Sequence, residues 1–265
     1  MSEKMLNKPN SPFHRSDSEI ILLTDLDGTL IFSASQKSET DLICEYKDGV
    51  PISCVTSKQA ELLPRLSGII PVTTRSIEQY KRIQIPNFSP KFALTDNGGN
   101  LLINGIPDKQ WAEYSLALTE EVSAELSMCR AALERDPDRC FEIRMVDGLF
   151  LFTKTACAER SLGLIQSACP SDKISSFCVG QKLYVLPKKL DKGNAAARLL
   201  ERLGFDGTVI AAGDSPMDIP LLNTADIVLM ADTVPDEMVT VKEKHIMPRR
   251  GFTQFVTEYY SKMRS

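Results

Sequence analysis

The fold is decided by the stretch Ile20-Ile21-Leu22-Leu23-Thr24-Asp25-Leu26-Asp27-Gly28-Thr29-Leu30. Its apolar run is too short for a helix and is followed at once by two acids and a glycine, which predicts a buried parallel strand ending in a loop that carries carboxylates. In an extended strand Asp25 and Asp27 share one face, and Gly28 lets the chain turn tightly beside them. From this stretch alone, an acidic turn without a chemical role is the alternative interpretation.

Composition narrows the class of protein. The chain has 265 residues, of which 43% are hydrophobic, enough for one large domain or for a core domain with a smaller one. The net charge of -4 favours neither nucleic acid nor an anionic membrane as the main partner, and the absence of an apolar run of roughly 18 residues predicts no membrane span. Residues 1–18 are polar and lack the apolar segment of a signal peptide, so we expect a flexible tail and a cytoplasmic protein.

Cysteine and histidine usage excludes several kinds of site. The seven cysteines form no CxxC pair and are an odd number, which favours reduced thiols over a disulfide framework or a zinc site. His14 and His245 are the only histidines. We therefore expect neither a Ser-His-Asp triad nor a histidine-rich metal site.

Short apolar strands alternate with helices in the first part of the chain. Residues 68–75 repeat the opening pattern with a strand that ends in Thr73, Thr74 and Arg75, and a helix is predicted over 76–82. The next strand, within 91–99, ends near Asn97. This alternation predicts an α/β fold with a parallel sheet, in which sites form at the carboxyl ends of the strands.

The same alternation resumes near residue 187. A helix begins at Asp191-Lys192-Gly193, and a strand over 208–213 runs into Asp214 and Asp218. We therefore expect the two halves of the sheet to bring these acids and Lys192 to the edge where Asp25 and Asp27 lie.

Residues 104–186 show a different pattern of predicted helices and strands. They predict a long helix over 119–135, a hairpin turning at Asp147-Gly148, a helix over 156–168 and a second hairpin turning at Gly180-Gln181. This pattern indicates a compact α+β domain inserted into the parallel-sheet core, whose two segments are then residues 19–103 and 187–265.

The polar residues at these strand ends favour a metal site. Four carboxylates at one sheet edge, Asp25, Asp27, Asp214 and Asp218, would repel one another unless a cation lay between them. Oxygen ligands with few histidines select a hard ion, and Mg²⁺ pairs well with phosphate. Lys192 adds a second positive charge that could steady a phosphoryl oxygen.

A family resemblance follows from four short motifs. They are the loop Asp25-Leu26-Asp27-Gly28-Thr29, the strand end at Thr73, the helix start Lys192-Gly193, and the loop Gly213-Asp214-Ser215-Pro216-Met217-Asp218. In this order, over residues 19–262, they resemble the motifs of the haloacid dehalogenase superfamily of phosphohydrolases. The inserted domain resembles the type IIB (C2B) cap of Cof-like sugar phosphatases, sucrose-phosphate phosphatase and mannosyl-3-phosphoglycerate phosphatase. The resemblance implies a Rossmann-like core that carries this cap.

The resemblance also implies roles for the two acids of the first motif. Asp25 would attack phosphorus and become an aspartyl phosphate, which splits one difficult displacement into two easier steps. Asp27 would protonate the leaving alcohol and then deprotonate the attacking water.

Further roles are implied for the other motif residues. Mg²⁺ would be held by Asp25, the backbone carbonyl of Asp27 and Asp214, with Asp218 as a further ligand or an outer partner. Thr73 and Lys192 would bind the phosphoryl group. The residues expected near the substrate are Thr74, Arg75 and Asn97.

Two points in the motifs stay open. The subgroup usually has Asn before the last motif acid, where this chain has Met217, whose thioether cannot replace the hydrogen bonds of an amide. Lys188 and Lys189 are rivals of Lys192, which is favoured because Gly193 follows it at a helix start.

These patterns predict a Mg²⁺-dependent phosphatase of a small phosphorylated metabolite, in particular a sugar phosphate or a glycosyl phosphate conjugate. We expect no nucleic acid or membrane partner, and a monomer or a homodimer. The alternatives are a phosphomutase of the same fold and a metabolite-binding or regulatory protein with low turnover.

Overall fold

The computed structural model describes residues 20–264, so the expected N-terminal tail, residues 1–18, lies outside the described residues. The strands are β1 (Ile20–Thr24), β2 (Phe32–Ser33), β3 (Leu42–Lys47), β4 (Val50–Val55), β5 (Ile69–Pro71), β6 (Phe92–Thr95), β7 (Asn100–Ile103), β8 (Ile106–Pro107), β9 (Arg144–Val146), β10 (Phe150–Lys154), β11 (Ile174–Val179), β12 (Lys182–Pro187), β13 (Thr208–Gly213), β14 (Ile227–Ala231) and β15 (Glu243–Met247). The helices are α1 (Ser57–Leu62), α2 (Ile77–Lys81), α3 (Lys109–Glu120), α4 (Ser123–Glu134), α5 (Ala158–Ala168), α6 (Lys192–Leu203), α7 (Ile219–Leu222) and α8 (Phe252–Met263). Within residues 20–264, no helix has the length and apolar character needed to cross a membrane.

A parallel sheet forms the centre of the core, in the order β15-β14-β13-β1-β5. A parallel bridge between Val72 and Leu94 places β6 beyond β5. Because the strands are parallel, their carboxyl ends meet at one edge, which the sequence predicted. The predicted α/β class with a parallel core and an inserted α+β cap is confirmed.

The opening strand β1 is buried on both faces. Ile21 and Leu23 pack into the cluster that includes Leu199 of α6, whereas Leu22 packs on the opposite side with Tyr260 of α8. Burial on both faces explains why the strand reads as an unbroken apolar run.

A β-hairpin, which we call the flap, follows the opening loop. It consists of β3 and β4 and turns at Asp48 and Gly49, whose φ angles of 52° and 78° suit the twisted turn of a hairpin. A single helical turn, Ala34–Gln36, precedes the flap. Residues near the tip of the flap are exposed, while Glu45 on β3 and Ser53 on β4 are buried.

The cap is a four-stranded antiparallel sheet, β11-β12-β10-β9, with α4 and α5 packed on one face. Its first helical region differs from the prediction of one helix over 119–135. Two helices, α3 and α4, meet at Glu121 and Val122, and the backbone of Val122 (φ -120°, ψ 21°) lies outside the helical region. The division of the chain at residues 104 and 186 stays a prediction.

A carboxyl pair joins the cap to the core. Asp96, which follows β6, is fully buried; its Oδ2 accepts hydrogen bonds from Thr95 Oγ1 (3.0 Å) and Asn100 Nδ2 (2.9 Å). No described residue donates a hydrogen bond to its Oδ1, and the side chain of Asp147 from the cap hairpin approaches it. Burial, strengthened by the charge of Asp147, raises the pKa of Asp96 to about 7.

This pair predicts a pH-dependent stability. Asp96 binds its proton more tightly in the folded chain than in the unfolded chain, so its contribution to the free energy of unfolding falls as the pH rises from about 4 to about 7, by at most about 4 kcal/mol. Asp96→Asn removes this titration and offers an amide donor to Asp147. We expect the melting temperature of the variant, relative to the wild type, to rise between pH 5 and pH 8.

The measurement is thermal unfolding of both proteins at several pH values. The exposed residue Asp206 provides a matched control, because Asp206→Asn makes the same substitution away from the cap. A constant difference in melting temperature between wild type and Asp96→Asn over this pH range contradicts the prediction.

Candidate active site

Three carboxylates meet at the carboxyl edge of the parallel sheet. Asp25 follows β1, Asp214 follows the neighbouring strand β13, and Asp218 ends the single helical turn that comes next. Their side chains are buried, and one carboxylate oxygen of each lies within 4.8 Å of those of the other two. The structure therefore brings together three of the four acids that the sequence singled out.

Lys192 lies among these acids. It is the first residue of α6, whose start is fixed by Asp191, which accepts a hydrogen bond from the backbone N–H of Asn194 at 2.8 Å. Its buried Nζ donates to Asp25 Oδ1 and to Asp218 Oδ1, the latter at 2.6 Å. The rival residues Lys188 and Lys189 are exposed.

The site carries an excess of negative charge. Burial raises the pKa of Asp25, and the charges of Asp218 and Asp214 raise it further against the opposing charge of Lys192. Burial alone would lower the pKa of Lys192, but the same carboxylates raise it above its ordinary value. The three carboxylates outnumber the two cations that contact them, Lys192 and Arg249, and a further cation would relieve their mutual repulsion.

Asp214 is the third buried carboxylate of the site. Burial and the charge of Asp218 raise its pKa to about 6, against the opposing charges of Arg249 and Lys192. Arg249 reaches Asp214 Oδ2 from the protein surface at 3.0 Å. The opening loop packs directly on this carboxylate: Gly28 has φ of 87°, and a Cβ at this position would collide with it.

Asp218 holds the last motif loop together. Its Oδ2 accepts hydrogen bonds from the backbone N–H groups of Asp214 (3.2 Å) and Ser215 (3.0 Å) and from the Ser215 hydroxyl (2.8 Å). A side chain at Gly213 would overlap Asp218, so the glycine makes room for this fold-back. With Lys192 on Oδ1, both oxygens of Asp218 already have protein donors.

Asp27 has a different environment from Asp25. Its side chain is 52% exposed, and it accepts two parallel hydrogen bonds from Arg75, from Nε at 2.7 Å and from Nη2 at 2.6 Å. Arg75 also donates from Nη1 to Glu45 of the flap at 2.8 Å. The cation that the sequence placed near the substrate is thus paired with the carboxyl predicted to transfer protons.

The remaining predicted residues lie beside this cluster. Thr73 is buried, and its hydroxyl accepts a hydrogen bond from the backbone N–H of Arg75 at 3.2 Å. Thr74 is half-buried. Asn97 donates from its side chain to the carbonyl of Leu190 at 2.9 Å, which ties the core to the chain leaving the cap. Their roles toward a substrate stay predictions.

Sequence reasoning missed two charged residues that contact the site. Glu45 lies in a segment without a clear period, and Arg249 belongs to a basic stretch whose composition is typical of a solvated surface. Neither residue follows an apolar strand, so the signal that identified the motif acids does not exist for them.

Aromatic residues cluster on the sheet of the cap. Tyr184 stacks on Phe177 with a centroid distance of 5.2 Å and contacts Phe152 at 5.3 Å. Burial raises the pKa of Tyr184 to about 12, and the charge of Asp27 contributes to this rise, so the phenol lies within electrostatic range of the catalytic loop.

Comparison with known proteins relates this arrangement to a family. The sequence model of a protein family, the haloacid dehalogenase-like hydrolases, matches residues 140–242. A phosphoglycolate phosphatase of Sulfurisphaera tokodaii is 43% identical over 53 residues, which are 20% of this chain and 24% of that protein. The chain thus matches about a quarter of the length of this curated relative.

Solved structures are similar over nearly the whole chain. A sucrose-phosphatase from Synechocystis sp., solved with sucrose and phosphate, has a TM-score of 0.63 at 17% identity and covers 92% of this chain and 98% of its own. A haloacid dehalogenase-like hydrolase from Bacteroides thetaiotaomicron has a TM-score of 0.56 at 16% identity and covers 93% and 99%. The match over residues 140–242 shows that this part of the chain is similar to haloacid dehalogenase-like hydrolases, and the solved structures show that the chain shares their fold.

Proposed function

We propose that the protein is a Mg²⁺-dependent phosphatase that hydrolyses a small phosphorylated metabolite through an aspartyl phosphate on Asp25. The observation that carries this proposal is the buried lysine shared by Asp25 and Asp218, next to a third carboxylate, Asp214. A lysine in this position can hold a nucleophilic carboxylate and a phosphoryl oxygen at the same time. The phosphatase names of the relatives support the same activity.

The residues fit a magnesium ion. The candidate ligands are all oxygens, and burial together with the neighbouring carboxylates raises the pKa of Asp25 and of Asp214, which is the situation that a hard divalent cation relieves. Asp25, Asp214 and the backbone carbonyl of Asp27 would hold it, while Asp218, saturated by Lys192 and loop donors, would support the site from outside. When bound, Mg²⁺ supplies charge neutralisation and polarises a phosphoryl oxygen.

The reaction then divides between the two acids of the opening loop. The buried Asp25 carboxylate forms a bond to phosphorus as the ester oxygen leaves, and Asp27 gives its proton to that oxygen. Asp27 next takes a proton from water as the water oxygen attacks the aspartyl phosphate, which releases phosphate and restores Asp25. Lys192 and the Thr73 hydroxyl hold the phosphoryl oxygens through both steps.

The substrate class is the finer part of the proposal. Tyr184, Phe152 and Phe177 form an aromatic cluster on the cap sheet, and aromatic rings of this kind can pack against the apolar face of a sugar. Among similar structures are a sucrose-phosphatase and a trehalose-6-phosphate phosphatase of Aspergillus fumigatus. These observations favour a sugar phosphate or a glycosyl phosphate conjugate.

Substitution of the two acids tests the mechanism. We expect Asp25→Asn to abolish phosphate release, because the amide is not a nucleophile, and Asp27→Asn to lower turnover by about 10²- to 10⁴-fold, the usual contribution of a general acid and base. The measurement is phosphate release from a panel of sugar phosphates, phosphoglycerate conjugates and nucleotides with Mg²⁺. Unchanged turnover in both variants would falsify the mechanism.

Metal binding is tested by thermal unfolding. At a Mg²⁺ concentration of about 100 Kd, stabilisation of about 2.7 kcal/mol corresponds to a rise in melting temperature of roughly 5–10 °C. We expect Asp214→Asn to lose most of this rise, whereas the surface control Asp206→Asn keeps it. An equal rise in both variants would show that Mg²⁺ does not bind at Asp214.

Product analysis separates the proposal from its alternatives. With a hexose monophosphate as substrate, hydrolysis yields free phosphate because water is the acceptor, whereas a phosphomutase yields an isomeric hexose phosphate. Tight Mg²⁺-dependent binding of the ester without either product would indicate a binding or regulatory protein.

A further inference from the structure

Glu45 is a buried carboxylate that no step of the proposed mechanism uses. It lies on β3 in the flap, and its side chain has no exposed surface. Its Oε2 accepts hydrogen bonds from Ser53 Oγ at 2.7 Å and from Arg75 Nη1 at 2.8 Å, and its Oε1 accepts one from Arg82 Nε at 3.1 Å. Three donor atoms, one from the flap and two from arginines outside it, thus surround one negative charge.

The charge on Glu45 is maintained. Burial alone would raise the pKa of Glu45, but the hydrogen bonds from Ser53 and Arg75 hold it below its ordinary value. A buried carboxylate that stays ionised fixes its cationic partner firmly, since breaking the pair leaves an uncompensated charge out of water.

Arg75 connects this buried group with the catalytic loop. It uses Nη1 for Glu45 and keeps Nε and Nη2 for the two oxygens of Asp27, so its planar fork sets the plane of the Asp27 carboxyl. Asp27 is half-exposed, and a carboxyl group on a loop surface would otherwise exchange rotamers readily. The side chain of Arg75 is only 11% exposed, which leaves it little freedom of its own.

We propose that Glu45 is a positioning residue: acting through Arg75, it holds the Asp27 carboxyl in the orientation that delivers a proton to the leaving oxygen. This inference rests on the proposed function. The proton moves from Asp27 to the ester oxygen as the P–O bond breaks, while Glu45 stays ionised and Arg75 stays protonated.

The leaving group gives a readout that a purely structural role would not affect. A sugar alkoxide is a poor leaving group and needs the proton of Asp27, whereas p-nitrophenolate leaves without it. If Asp27 is misplaced, kcat/KM for an alkyl phosphate falls much more than kcat/KM for p-nitrophenyl phosphate. Loss of folded protein or of metal lowers both values alike.

The experiment compares kcat/KM for a hexose monophosphate and for p-nitrophenyl phosphate in the full-length protein with Mg²⁺. We expect Glu45→Gln to lower the first value by roughly 10- to 100-fold, part of the usual general-acid contribution, and to change the second by less than about 3-fold. In an Asp27→Asn background, Glu45→Gln should cause no further loss of kcat/KM, because the carboxyl group that Glu45 positions is absent.

Glu78→Gln is the matched control. Glu78 pairs with Arg82 at 3.6 Å as Glu45 does, but its side chain is 89% exposed. The same chemical change at this position should leave the ratio of the two kcat/KM values as in the wild type.

A second variant serves in case Glu45→Gln does not fold. Arg75→Lys keeps the positive charge but loses the fork that reaches both oxygens of Asp27, and it should show the same selective loss on the hexose ester. Equal losses on both esters, or none on either, in the folded variants overturn the positioning role alone. A wild-type protein that hydrolyses neither ester contradicts the proposed function itself.

Discussion

The site depends on one buried ion pair cluster, in which the Lys192 ammonium lies between Asp25 and Asp218. Removing the ammonium would leave buried carboxylates facing one another without compensation, which is among the most destabilising changes available to a folded chain. Lys192 is 167 positions from Asp25 in the sequence, and the cap lies between them. This cluster therefore joins the two segments of the core as well as forming the chemical site.

A second network of ion pairs lies beside the cluster. It also balances a buried carboxylate with a cation, but here the cation is shared with a carboxylate that is exposed. Arg75 compensates Glu45, which is buried, and Asp27, which is half-exposed. The buried partner limits the movement of the guanidinium group, and the exposed partner remains reachable by substrate and water. The flap is thus linked to the loop that carries Asp27 through the side chain of Arg75.

The residues of the cluster could be predicted because each one follows an apolar strand or begins a helix in a regular α/β alternation. Asp25, Asp214 and Lys192 carry this local signal, and the parallel topology alone brings them to one edge. Glu45 and Arg249 could not be found this way, since their partners are set by how a hairpin and a C-terminal segment pack. The break between α3 and α4 was missed because apolar spacing continues through Val122 although the backbone leaves the helix there.

The two acids of the opening loop began as an equivalent pair in the sequence, and their surroundings now distinguish them. Asp25 is buried with an ammonium group and two further carboxylates, an environment that suits a nucleophile kept from bulk water. Asp27 is half-exposed and accepts two hydrogen bonds from Arg75, an environment that suits the proton-transfer role that we propose for it. The spacing of two residues supplies both environments at once, because the strand end is buried while the loop that follows it is already at the surface.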